Sequence, residues 1–124
     1  MSYDISIHVK AEGCDIYPKI AEPEYCSPTF NLREMFTKCM DWDYSQYTEK
    51  DGNYETVYYR CDLVLPKIKH GITELRTKWK KYEQYNSPNG WGTVEDALLV
   101  LESLKNCIIE QSKQIPLDCL YMRW

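Results

Sequence analysis

The residues best able to carry metal or redox chemistry in this 124-residue chain are its six cysteines. They form no C-x-x-C pair, so a zinc site would need ligands from distant segments. The candidate metal ligands are Cys14, Cys26, Cys39 and Cys61, at the predicted ends of elements, with His8 as a further or substitute ligand. The sequence leaves two alternatives open, which are a structural zinc ion and inert buried thiols.

Catalytic residues are sparse. Neither His8 nor His70 adjoins a Ser or Cys motif with the spacing of a known nucleophile. Asp41 and Asp43 form a D-x-D pair, which can hold Mg²⁺ but is common in acidic loops. The sequence NGWG matches neither phosphate-binding pattern, and we expect its glycines to set a turn and to let Trp91 fold back as a plug. These observations predict a protein that is not an enzyme.

The stretch 41–59, DWDYSQYTEKDGNYETVYY, has the composition of a recognition surface, with five tyrosines, one tryptophan, five carboxylates and one lysine. Such aromatic side chains supply rigid amphipathic contact area and are enriched at protein interfaces. Asp51-Gly52 is a hairpin turn signal because both residues tolerate positive φ. The sequence therefore predicts a projecting β-hairpin that binds another macromolecule. The predicted anchors are Trp42, Tyr44, Tyr47, Tyr54 and Tyr58, and the predicted steering residues are Asp43, Glu49, Asp51 and Glu55.

Charge and hydropathy limit the class of partner. The net charge is −4, and the stretch 41–59 accounts for all of the excess acidity. An acidic domain is poorly suited to binding phosphates directly. No apolar run reaches the length of a membrane span, and the opening MSYDISIHVK alternates where a signal peptide would be continuously apolar. We therefore expect a cytoplasmic protein with reduced thiols, a monomer or homodimer, that contacts neither nucleic acid nor membrane directly.

Strands are predicted at both ends of the chain. Alternation of polar and apolar residues over 3–10 predicts a first strand with Ile5 and Ile7 on its buried face. The segment 14–21 is expected to return as a second strand, and 117–124 to form a closing strand. With the hairpin, these segments predict a small antiparallel sheet formed from both termini.

Three helices are predicted from apolar spacings of three or four residues. A short helix capped by Thr29 or Asn31 runs through Met40. A long helix capped by Asp62 follows, and the last helix begins at the T-x-x-D sequence of Thr93. The long helix carries the apolar stripe Leu65, Ile68, Ile72, Leu75, Trp79 and Tyr82, and the last helix buries Ala97, Leu98, Leu101, Leu104 and Ile108. The predicted fold is α+β, in a single domain spanning 1–124, with two long helices and one short helix packed against the sheet.

Five segments together resemble a family of small proteins carried by bacteriophages and prophages of Firmicutes, most of them without assigned function. The segments are MSYDISIHVK, SPTFNLREMF, CMDWDYSQ, NGWGTVEDAL and LYMRW, and the resemblance covers nearly the whole chain. The relatives pass more directly from DWDYSQ to the aromatic pair matched here by Tyr58 and Tyr59. The resemblance therefore implies that 47–57 is an insertion, which is how a binding specificity is gained without disturbing a core.

In size and acidity the chain is similar to type II anti-CRISPR proteins that bind Cas9. This similarity implies an inhibitor in the cytoplasm of an infected or lysogenic bacterial host, whose hairpin docks on a basic lobe of Cas9 and blocks loading of target DNA. Two alternatives stand beside it. One is a protein that sequesters a small ligand or nucleotide beside Trp91, and the other is a metal-dependent enzyme that uses Asp41, Asp43 and the cysteines.

Overall fold

A sheet made from widely separated parts of the chain forms the centre of the molecule. The computed structural model describes residues 4–10, 16–43, 49–50 and 57–124, with the backbone alone at 49–50. The sheet has five antiparallel strands, which are β1 (Ser6–Val9), β2 (Lys19–Ala21), β3 (Glu49–Lys50), β4 (Val57–Arg60) and β5 (Leu120–Arg123). Their order is β2–β1–β5–β4–β3, so β2 and β3 are the edge strands within the described residues.

Helices cover one face of this sheet. The described α-helices are α1 (Arg33–Met40), α2 (Cys61–Thr77), α3 (Trp79–Tyr82) and α4 (Val94–Ser112), with 3₁₀ turns at Phe30–Leu32, Glu83–Tyr85 and Leu117–Cys119. The predicted α+β class, with a small antiparallel sheet packed against helices, is confirmed. Within the described ranges, no helix is both long and apolar enough to cross a membrane.

The two ends of the sequence pair in the middle of the sheet, as predicted. The register of β1 with β5 runs from Ser6 opposite Arg123 to Val9 opposite Leu120. Beyond β5, Trp124 packs edge-on against Phe36, with ring centroids 5.0 Å apart. Trp124 therefore packs against the main core.

Alternation along the strands creates two buried clusters on opposite faces of the sheet. The helix-covered face receives Ile5, Ile7, Tyr59, Leu120 and Met122, which join the main core. The opposite face carries a second cluster of Tyr17, Tyr58 and Tyr121. Because successive side chains in a strand point to opposite faces, both tyrosines of β4 are buried although they are neighbours in sequence.

The long helix differs from the prediction at both ends. It begins at Cys61 without a side-chain cap, and Asp62 accepts a 2.6 Å hydrogen bond from Arg60 Nε instead of capping the helix. It ends at Thr77, because Lys78 has the non-helical dihedral angles φ −127° and ψ 34°. The single turn α3 begins at Trp79, directly after this break. Trp79 is 47% exposed, and its predicted place in the buried stripe is wrong.

Close packing between helices depends on Gly71 in the middle of α2. A Cβ atom at this position would lie 2.8 Å from Met40 Cγ and 3.0 Å from Leu101 Cδ1. The absent side chain therefore lets α1 and α4 approach α2 closely.

The start of α4 follows the prediction in detail. Thr93 Oγ1 accepts the backbone N–H of Asp96, and Asp96 Oδ2 accepts the backbone N–H of Thr93 at 3.0 Å. This reciprocal capping box satisfies two backbone donors at the beginning of the helix.

Candidate functional site

The predicted hairpin is attached to the edge of the sheet. Glu49 pairs with Tyr58, and Lys50 pairs with Val57. The predicted turn at Asp51-Gly52 falls in 51–56, outside the described residues. The acidic stretch is therefore attached to β4, and through it to the middle of the sheet.

Two of the predicted partner-binding residues are buried, and their assignment as outward anchors is wrong. Trp42 is only 8% exposed, and its ring centroid lies 4.8 Å from that of Tyr59 and 5.2 Å from that of Trp124. Tyr58 is 4% exposed and stacks on Tyr17, with centroids 4.3 Å apart. The physical reason is that both faces of β4 are covered, one by the helices and one by the segment that carries Tyr17.

The other predicted partner-binding residues divide into two groups. Asp43 is exposed, as expected of a steering residue. Tyr44, Tyr47, Asp51, Tyr54 and Glu55 lie outside the described residues, as does the side chain of Glu49.

The D-x-D pair lies beside a lysine. Asp41 closes α1 in the left-handed conformation, with φ 50° and ψ 56°. Its Oδ2 lies 3.8 Å from Lys67 Nζ, and the two residues line a polar groove together with Asp43. The pairing of Asp41 with an ammonium group favours a structural role over a magnesium site.

A serine and a histidine are joined on the face of the sheet opposite the helices. His8 Nδ1 donates to the carbonyl of Tyr17 at 2.7 Å, which leaves Nε2 to accept from the Ser6 hydroxyl at 2.7 Å. Burial lowers the pKa of His8, and the nearby cations Arg123 and Lys19 add to this effect, although the hydrogen bond to Tyr17 opposes it. The imidazole is therefore neutral near pH 7.

The Ser6–His8 pair has the bonding of a nucleophile and its base, but it lacks access for a substrate. Both side chains are buried, and the His8 ring lies edge-on to Tyr58 at a centroid distance of 5.2 Å. Both ring nitrogens are occupied by protein partners, so His8 is not the substitute zinc ligand that the sequence suggested. We assign the pair a structural role in the second cluster.

The predicted zinc ligands are not brought together where the structure describes them. Cys39 and Cys61 are buried, and desolvation raises the pKa of each thiol to about 12. Cys26 is partly exposed beside Ser27, and Cys14 lies outside the described residues. In the described part of the chain, no three His, Cys, Asp or Glu side chains converge as a metal site would require. Cys39 and Cys61 resemble inert core thiols.

Trp91 is the most exposed large hydrophobic residue in the described part of the chain, and its position differs from the prediction. It is 73% exposed, and the expectation that it folds back as a plug is wrong. Its backbone is fixed from both sides, because Asn31 Nδ2 donates to the Trp91 carbonyl at 3.0 Å and the Trp91 N–H donates to Asn89 Oδ1 at 2.9 Å. The Ser87 N–H also donates to the Gly92 carbonyl at 3.1 Å, which closes the loop. A well-bonded loop therefore presents the indole to solvent.

Two grooves flank the first turns of α4 on either side of this loop. The first has a volume of about 380 Å³ and contains exposed Tyr25 and Leu99. The second has a volume of about 550 Å³ and contains exposed Trp79 and partly buried Leu98. The sequence contains one indication of these grooves, which is the adjacent pair Leu98 and Leu99. Adjacent apolar residues on a helix cannot both belong to one narrow buried stripe, so at least one of them is expected to lie outside the core.

No protein-family model, curated protein or solved structure matches this chain. The residues themselves therefore carry the functional argument. Two regions stand out in composition or exposure, which are the acidic stretch attached at the sheet edge and the exposed aromatic residues around the start of α4.

Proposed function

We propose that this chain is a small inhibitory binding protein of phage type that binds Cas9 in the bacterial cytoplasm and blocks loading of target DNA. Its principal contact is the acidic stretch 41–59. The observation that carries the proposal is the attachment of this stretch to an edge strand, since β3 pairs with β4 and β4 is anchored in both buried clusters.

Rigid attachment favours binding because it lowers the ordering cost of the contact. Tyr58 and Tyr59 hold β4 from opposite faces of the sheet, so the base of the hairpin is fixed before any partner arrives. An edge strand also has unpaired backbone N–H and C=O groups, which can form hydrogen bonds with another molecule.

Local charge supports a basic partner surface. The stretch contains five carboxylates and one lysine, whereas the rest of the chain is balanced. Cas9 holds its RNA–DNA heteroduplex in a channel lined by basic residues, and a carboxylate-rich segment is complementary to such a channel. With Trp42 and Tyr58 inside the protein, the aromatic contribution is assigned to Tyr44, Tyr47 and Tyr54.

The experiment compares two triple substitutions that change the net charge equally. Glu49→Gln, Asp51→Asn and Glu55→Gln neutralise the stretch, while Glu34→Gln, Glu110→Gln and Asp118→Asn neutralise exposed acids elsewhere. We expect the first variant to bind guide-loaded Cas9 with an association rate constant reduced about tenfold at low salt, and to lose inhibition of DNA loading. The second should match the unmodified chain. Equal association rates for the two variants would contradict the assignment of the contact.

A further inference from the structure

The surface around the start of α4 combines exposed rings with a fixed backbone. We define the tryptophan face as Tyr25, Trp79, Trp91, Leu98 and Leu99. Trp91 is 73% exposed on a loop whose polar groups are already bonded to Asn31, Ser87 and Asn89. A ring held in this way loses little conformational entropy on contact, and buried tryptophans are common hot spots of protein interfaces.

The shape of the tryptophan face suits an elongated apolar ligand. Asp96, Leu99 and Val100 line the first groove, and Val94, Glu95 and Leu98 line the second, so the grooves lie on neighbouring sides of the same helical turns. Trp91 lies three residues before Val94, the first residue of α4, and its carbonyl accepts from Asn31, which adjoins groove residues Thr29 and Leu32. Two separated depressions beside a projecting ring can receive successive apolar side chains of an amphipathic helix.

The charged residues that line the two grooves indicate which kind of ligand helix they favour. The charged residues of the two grooves are Glu24, Asp96, Arg76, Glu83 and Glu95. Asp96 is engaged in the capping box, and Arg76 is paired with Glu102. Glu24, Glu83 and Glu95 form no ion pair with any described residue, so the rim is negative. An acidic rim attracts Lys and Arg and repels phosphate groups.

The groove beside Trp79 also contains cations of the chain itself. Lys80 Nζ lies 5.6 Å from the centroid of the Trp79 ring, and Arg76 lines the groove in an ion pair with Glu102. Glu83 and Glu95 line the same groove, so a basic ligand side chain entering it meets an aromatic ring and two carboxylates.

We propose that the tryptophan face is a second docking site, separate from the acidic stretch, and that its occupant is a basic amphipathic helix of a partner protein. The apolar side of that helix lies in the two grooves against Trp91, and its Lys or Arg residues face Glu24, Glu83 and Glu95. The site is independent of the proposed Cas9 contact.

The test uses a displayed library of random peptides about 16 residues long, enough for about four helical turns, panned on the unmodified chain. We expect enriched peptides to carry Leu, Phe or Trp at helical spacing together with Lys or Arg. Trp79→Ala with Trp91→Ala should weaken their binding at least tenfold, because tryptophan hot spots contribute that much or more. Glu83→Gln with Glu95→Gln should weaken binding less and reduce its salt dependence.

Two controls distinguish binding at this site from non-specific hydrophobic binding and from binding by the acidic stretch. Leu63→Ala removes an exposed apolar side chain of α2 outside the tryptophan face, and it should leave peptide binding unchanged. The variant Glu49→Gln, Asp51→Asn, Glu55→Gln should also bind the peptides normally, so a failure of the Cas9 proposal is distinguishable from a failure here. Circular dichroism checks that each variant is folded.

Several results would overturn the inference. One is the absence of any enriched peptide, and another is enrichment without Lys or Arg. Equal binding by the doubly substituted tryptophan variant would also count against it. If sedimentation shows concentration-dependent dimers that this variant abolishes, the occupant is a second copy of the chain, and binding of the chain to neutral lipid vesicles through the same residues would point to a membrane.

Discussion

The aromatic residues at the base of the hairpin and those at the start of α4 are held in opposite ways. At the hairpin, Trp42, Tyr58 and Tyr59 are buried and their rings fix the backbone to the core. At α4, backbone hydrogen bonds fix the loop and the ring of Trp91 is left exposed. The comparison shows that local aromatic density does not indicate a contact surface, since rings used for anchoring are no longer available to a partner.

The largest effect should follow from removing an anchoring ring. Trp42→Ala deletes a buried indole that contacts Tyr59 and Trp124, and we expect it to lower the free energy of unfolding by about 3–5 kcal/mol. Trp91→Ala should change it by less than about 0.5 kcal/mol because the ring is exposed. Urea unfolding followed by far-UV circular dichroism measures both, with Trp42→Phe as a milder variant if the alanine substitution prevents folding. Similar losses for the two positions would invalidate the comparison.

An intermediate effect is expected from the loop that presents Trp91. Gly92 has φ +107°, and an added Cβ would lie 3.2 Å from both Asn31 Cβ and Thr29 Cγ2. Gly92→Ala should therefore destabilise the protein by about 2–3 kcal/mol, through backbone strain and crowding together. Gly90 is the matched control, because it has φ +77° but no atom within 4 Å of its added Cβ. Gly90→Ala should cost about 1 kcal/mol from strain alone, and an equal loss in urea unfolding would show that the loop does not pack as described.

The smallest effect concerns pH and the second cluster, against which His8 packs. Burial lowers the pKa of His8 below its ordinary value of 6.5. As the pH falls below that value, the unfolded chain therefore binds more protons at this histidine than the folded chain does. The free energy of unfolding should be nearly constant between about pH 6.5 and 8, below the range in which the buried thiols titrate in the unfolded chain, and it should fall as the pH decreases below about 6.5. His8→Gln should flatten this slope between about pH 7 and 5, whereas the exposed His70→Gln should retain it. An unchanged slope in His8→Gln, followed by urea unfolding across pH, would contradict the assignment.

This pH window is distinct from that of the carboxylates. Hydrogen bonds from Lys19 and Lys78 lower the pKa of Glu22 and Glu74 below their ordinary value of 4.5. Stability from these pairs is present above about pH 4.5 and is lost only in more acidic solution, so they do not contribute to the slope assigned to His8.

The parts of the fold that depend on neighbouring residues were predictable from sequence. The capping box of Thr93 and Asp96 spans three residues, and its bonds follow from their spacing. Alternation around Ile5 and Ile7 indicated a strand with one face in the core. Each of these inferences needed only a local pattern and a requirement to bury apolar surface.

The parts that failed depend on contacts between distant segments. The burial of Tyr58 requires Tyr17 on the far side of the sheet, and no pattern within 41–59 indicates that partner. The loop that carries the exposed Trp91 is bonded to Asn31, which is 60 residues away in sequence and donates to the Trp91 carbonyl. The break at Lys78 involves neither glycine nor proline, so the sequence contained no helix-breaking residue that would have indicated the exposure of Trp79.

The pairing of β1 with β5 has a consequence for synthesis of the chain. β5 separates the β1–β2 ladder from the β3–β4 ladder, so the two halves of the sheet join only when residues 120–123 have left the ribosome. Until then, the tyrosines of β4 lack Met122 and Tyr121 as neighbours, and both ladders present open edges to other nascent chains. The sheet is therefore completed only when residues 120–123 are available, through the closure of a long loop, and a chain that stopped near residue 119 could not assemble this sheet.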